Sequence, residues 1–171
     1  MEKITKDISL KGDDWSELRE KLYKKVFDTL YQIYVLCASI GIMYDSVKEN
    51  EEEEEIGIVP RTVQQNNIEE LEILFQTAIL TTDVVDFTED KRLELAFDDK
   101  TKNQDFDKIG FLTRFANYGA QVLSEKMGDD SLECMENIKD LLVSTVNGHN
   151  FEINPLELED LNITAEELLD E

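Results

Sequence analysis

Turn-forming residues are scarce in this chain, with seven Gly and two Pro among 171 residues. An all-β fold needs such residues about every ten positions, so the shortage excludes it and favours helices. Metal-binding side chains are scarce too. One His (His149) and two distant Cys (Cys37 and Cys134) cannot supply the closely spaced ligands of a zinc site. Both Cys fall inside apolar helical patterns and read as buried thiols. No Gly-x-Ser-x-Gly turn and no Gly-rich phosphate loop occurs. Carboxylates are so numerous that no one pair stands out as an acid–base couple. These shortages read as a non-enzymatic protein with no catalytic residues, no metal and no cofactor. Long apolar runs are missing as well: the longest, near Ile33 to Met43, is interrupted by Ser39 and Gly41 and is too short to span a bilayer. The opening Met1 to Asp7 lacks the apolar centre of a signal peptide, which leads us to expect a cytoplasmic protein with no membrane partner.

What the chain has in excess is acid: 40 Asp and Glu against 17 Lys and Arg, a formal charge of −23. The charge is unevenly placed. Residues 1–48 carry eight acids and eight bases, whereas Glu49–Glu55 holds six Glu and no base, and His149–Glu171 holds eight acids and no base. Binding to nucleic acid through a basic patch is excluded, because that contact depends on Lys and Arg neutralising phosphates. An anionic membrane is disfavoured for the same reason. A protein with a basic surface is the partner that fits. Self-association into a homo-oligomer is left open.

Hydrophobic spacing predicts an all-α fold: a compact, single-domain bundle of five or six helices over 1–148, with room for one short extended segment near 56–61. An acidic loop at 49–55 and an acidic, leucine-bearing tail at 149–171 complete the organisation. The first dozen residues read as a lead-in. Trp15, Leu18, Leu22 and Val26 share a face of a first helix that Gly12-Asp13-Asp14 can cap. Asp28 is the expected cap of a second helix, from Leu30 to about Val47, which is apolar nearly all round and so either central to the core or covered by a partner. A third, capped by Asn66 or Asn67, turns Ile68, Leu71, Phe75 and Ala78 inward and stops near Thr81-Thr82-Asp83. A short helix over 88–97 and a polar linker over 98–103 follow. The clearest pattern, Asp105 to Met127, repeats Ile109, Leu112, Phe115, Gly119, Val122 and Met127. After Asp129-Asp130 a last bundle helix places Leu132, Met135, Ile138, Leu142 and Val146 on its apolar face and closes at Gly148.

Three sets of residues are candidates for partner binding. Arg114, Asn117 and Tyr118 lie beside Gly119, whose helical cost implies a packing reason. Glu51, Glu52, Glu53, Glu54 and Glu55 form the acidic run, read as a solvated loop rather than a calcium loop because it lacks Gly and alternating ligands. Leu156, Leu158, Leu161, Leu168 and Leu169 alternate with acids in the tail, which either straps back onto the domain or docks a basic-rimmed groove.

The stretch Phe115-Ala116-Asn117-Tyr118-Gly119-Ala120, followed by Leu123, resembles the Tyr-Ala-Asn-Gly-Gly region of small proteins encoded beside DNA phosphorothioation (Dnd) modification and restriction systems. Phe27-Asp28 through Tyr34-Val35 to Ala38-Ser39-Ile40-Gly41 is similar to their helix with the pattern Phe … Ala-Ala-Leu-Gly, and the spacing from Leu74-Phe75-Gln76-Thr77-Ala78 to Thr82-Asp83 to their third helix. The three blocks keep the family's order and span roughly residues 15–145. Phe115 stands where that pattern has Tyr, and Tyr118 where it has Gly. The resemblance implies a helical accessory or regulatory component of a bacterial anti-phage defence system, bound to a larger subunit. The alternative suggested by the acidity is an inhibitor that mimics DNA. It fits less well, because a mimic would spread carboxylates along one face.

Overall fold

The computed structural model describes residues 4–49, 54–97 and 106–148, with side chains as far as residue 144. The fold is mainly helical. Its elements run β1 (Ile8–Lys11), α1 (Asp13–Leu22), α2 (Leu30–Met43), β2 (Glu55–Val59), α3 (Arg61–Asn66), α4 (Ile68–Thr81), α5 (Glu89–Phe97), α6 (Lys108–Ser124) and α7 (Ser131–Gly148). The chain divides into two units, Met1–Ile138 and Lys139–Glu171, and the division falls inside α7. No described helix is long and apolar enough to cross a membrane.

The expected lead-in is a strand. Ile8 and Leu10 alternate with Ser9 and Lys11, and this period of two buries one face. β1 pairs antiparallel with β2, setting Ile8 opposite Val59 and Lys11 opposite Glu55. The extended segment anticipated near 56–61 is therefore half of a two-stranded sheet, and Pro60 ends it where α3 begins.

α1 buries Trp15, Leu18 and Leu22 as expected, but it stops at Leu22 and leaves Val26 outside the helix. Lys24, in the left-handed region at φ 62°, reverses the chain there. The cap of α2 is Thr29 rather than Asp28. Its hydroxyl accepts from the Gln32 amide while Gln32 Oε1 accepts from the Thr29 amide, a reciprocal capping box.

α2 and α6 form the centre of the first unit. Tyr34, Cys37, Ala38 and Ile40 on one meet Leu112, Phe115, Ala116 and Leu123 on the other, all fully buried. The helices run antiparallel and touch backbone to backbone. A Cβ on Gly41 would lie 2.1 Å from the Phe115 carbonyl oxygen, and one on Gly119 would lie 1.8 Å from that of Cys37. Any side chain at either position would force the helices apart, which is the packing reason for a Gly in the middle of α6.

α4 adds Leu71, Phe75, Ala78 and Ile79 to the core. Phe75 joins Phe106, Phe111 and Phe115 in a run of tilted and edge-on rings whose centroids lie 5.2–5.9 Å apart. α7 starts as expected on Asp130, whose Oδ1 accepts from the amides of Leu132 and Glu133. Its buried face is offset from the expected one. Cys134, Ile138 and Leu141 are buried, whereas Leu132 and Met135 are exposed.

Candidate functional site

The candidates Arg114, Asn117 and Tyr118 come together on the flank of α6 that faces α1 and the segment after α2. Trp15 brings an indole N–H into a buried position and needs an acceptor. Asn117 Oδ1 supplies it at 3.0 Å, and Asn117 Nδ2 in turn donates to the Lys48 carbonyl at 3.4 Å. The Lys48 amide donates to the Arg114 carbonyl at 2.9 Å, fastening the chain after α2 along α6. Lys48 Nζ then bridges to Asp14 Oδ2 at 3.1 Å, and the other carboxylate oxygen accepts from Ser124 at 2.8 Å. The result is a polar seam that joins three parts of the chain, with Asp14 between a cation on one side and a hydroxyl on the other.

Arg114 extends the seam outward. Its Nη2 meets Glu49 Oε1 at 2.6 Å, while its Nε is buried with no hydrogen-bond partner among the described residues. Tyr118 packs at a tilt against Tyr44, with ring centroids 6.3 Å apart. Arg114, Asn117 and Tyr118 are all half-buried, and the Asn117 amide is the one bonded to both Trp15 and the Lys48 carbonyl. Spacing along α6 singled out this turn of helix. Asp14, Trp15 and Lys48 were missed because they lie 66 to 110 residues from their α6 partners. The one available signal was the Trp itself, whose ring N–H demands an acceptor.

The acidic run is described only at its ends. Glu49 pairs with Arg114, Glu54 is exposed, and Glu55 belongs to β2, where Ser9 donates to its carboxylate. Glu51, Glu52 and Glu53 lie outside the described residues, as do the linker over 98–103 and the tail leucines Leu156, Leu158, Leu161, Leu168 and Leu169.

Buried titratable groups are held in their neutral forms. Burial pushes the Cys37 thiol well above the ordinary thiol range, and the Asp14 charge adds to the effect. Burial likewise raises the Tyr34 phenol. Its hydroxyl lies 3.2 Å from Thr113 Oγ1, and Thr113 gives its own proton to the Ile109 carbonyl, so Tyr34 is the donor. Tyr31 is raised first by burial and then by donating to Glu70 at 2.6 Å. Cys37 and Cys134 are both buried and free of disulfide bonds, as their apolar surroundings in the sequence imply. Among the described residues, no three His, Cys, Asp or Glu side chains are gathered where they could hold a metal ion.

Exposed apolar side chains gather on the pair α4–α5: Ile73 and Leu80 on one helix, Leu93 and Phe97 on the other. No family model, curated protein or solved structure matches this chain.

Proposed function

We propose that this protein is a non-enzymatic accessory or regulatory subunit that binds a larger, basic-surfaced protein of a bacterial anti-phage defence system of the DNA modification and restriction type. The observation that supports the reading best is the division of labour among its polar groups. Trp15, Asn117, Lys48 and Asp14 are committed to joining helices, while on the described surface exposed carboxylates outnumber exposed Lys and Arg, and Ile73, Leu80, Leu93 and Phe97 stand in the open. Acid flanking exposed apolar surface suits a basic protein partner: complementary charge steers the encounter, and apolar contact then holds it. The defence setting comes from the resemblance to Dnd-associated proteins alone.

Affinity purification of the tagged protein, expressed with its neighbouring genes, tests the reading. A co-encoded large subunit should be retained in a salt-sensitive manner. Failure to retain any co-encoded protein at low salt would overturn the proposal. Deleting residues 149–171 separates two routes: lost retention assigns the docking to the tail, and unchanged retention assigns it to the folded helices. Displacement of DNA from the captured partner, with no ternary complex, would favour the DNA-mimic alternative.

A further inference from the structure

The α4–α5 pair is antiparallel and clamped from inside. The Arg92 guanidinium donates to the carbonyls of Ile79, Thr82 and Val85, its Nε donates to that of Phe87, and Gln76 Nε2 donates to the Ala96 carbonyl at 3.1 Å. Arg92 therefore lies near the end of α4, and Gln76 near the end of α5. Helical spacing then fixes where the other residues point. Ile73 and Leu80, seven apart, lie on the flank of α4 opposite Leu71, Phe75 and Ala78, and Leu93 and Phe97, four apart, lie opposite the buried Leu95. Both ridges face away from the core on the same side of the pair.

These four side chains are well exposed: Ile73 63%, Leu80 37%, Leu93 45% and Phe97 63%. Together they offer apolar area on the order of 300 Å², the size at which a surface patch is often functional. Two parallel ridges about 10 Å apart leave a groove of the width that accepts a third helix.

Charge selects the occupant. Glu69 lies one turn before Ile73 on the same ridge, and Glu89 and Asp90 lie one turn before Leu93. The bases within the pair are already engaged: Arg92 by backbone carbonyls, and Lys91 by Glu94 at 3.1 Å. The groove is apolar along its floor and acidic at its rim. A second copy of this chain, at −23, would bring like charge to it.

The geometry points to the α4–α5 face as the docking site for an amphipathic helix of a partner protein, apolar on one side and flanked by Lys or Arg. This names a surface for the accessory-subunit reading and rests on it.

Two synthetic helical peptides of about four turns provide the probe, one of Leu and Lys and the other of Leu and Glu in the same pattern. Binding to the full chain is followed by calorimetry. The wild type should bind the Lys peptide about tenfold or more tightly than the Glu peptide, and less tightly as salt rises. The variant Ile73→Ser/Phe97→Ser should lose about tenfold in affinity for the Lys peptide. Because both side chains are exposed, its circular dichroism and melting should match those of the wild type. Equal binding of both peptides, or no binding of either, overturns the proposal. Unchanged binding by the double variant overturns this surface while leaving the accessory-subunit reading intact, since that reading is tested by capture of the co-encoded subunit. A concentration-dependent dimer in sedimentation, abolished by the same two substitutions, would assign the face to self-association instead.

Discussion

At the α2–α6 crossing two helices meet so closely that the backbone of each occupies the space a Cβ would need on the other, at Gly41 and Gly119. In the α4–α5 pair the contact is made by side chains reaching across to carbonyls, and the outer flank carries Ile73, Leu80, Leu93 and Phe97 in the open. The first pair spends its apolar residues inward and leaves no slack. The second is held from within by Arg92 and Gln76, and its outward apolar ridges contribute little to that hold. The docking proposed for that face draws on apolar residues that the Arg92 and Gln76 bonds leave in the open.

Substitutions test that contrast, beginning with the crossing. Gly119→Ala should cost about 3 kcal/mol or more in urea-induced unfolding, because the clash is with a carbonyl and no rotamer relieves it. A cost below about 1 kcal/mol would mean that the helices separate easily and that the crossing is not the rigid member of the comparison. Arg92→Met should cost about 2 kcal/mol by leaving several carbonyls without their charged donor. Hydrogen exchange should then quicken first around residues 82–88. Uniform acceleration across α2 and α6 would show that the two pairs are not energetically separate.

Tyr34→Phe should cost about 1 kcal/mol at neutral pH through loss of its bond to Thr113. The same residue makes the core sensitive to alkali. The folded state holds the Tyr34 and Tyr31 phenols and the Cys37 thiol neutral, with each pKa raised above its ordinary value of 10.0 or 9.0. Their stabilisation is therefore complete below about pH 9 and is lost progressively as pH rises, because the unfolded chain releases protons that the folded chain keeps. Tyr34→Phe should flatten that alkaline decline, as read from melting temperature against pH. The smallest effect belongs to the exposed pair: Ile73→Ser should change stability by less than about 0.5 kcal/mol. A larger loss would show that the outer ridge is part of the core after all.

Much of this arrangement was legible in the sequence, and the failures have physical causes. α2, α4 and α6 announce themselves by period and length, and an all-round apolar α2 has to be covered, by the core or by a partner; here α6 covers it. β1 was hidden because four residues give too short a stretch for alternation to outweigh the polar residues on either side. α3, six residues long, was hidden for a similar reason. The face of α7 was misplaced because Cys134 was not counted in its stripe, although a small buried thiol can anchor a helix as Leu does. For the candidate site, Arg114, Asn117 and Tyr118 were found by their neighbourhood to Gly119. Their duties were not, since hydrogen bonds to Trp15 and Lys48 depend on how distant segments fold together.

The meeting of α2 with α6 also sets the order in which the chain can mature. Tyr34 and Thr113, bonded across the crossing, are 79 residues apart. During synthesis, α2 leaves the ribosome long before the helix that covers it, and its apolar sides stay uncovered until α6 has followed. Nascent chains ending before residue 108 should therefore bind chaperones and be cleared quickly, whereas chains that include α6 should escape both fates.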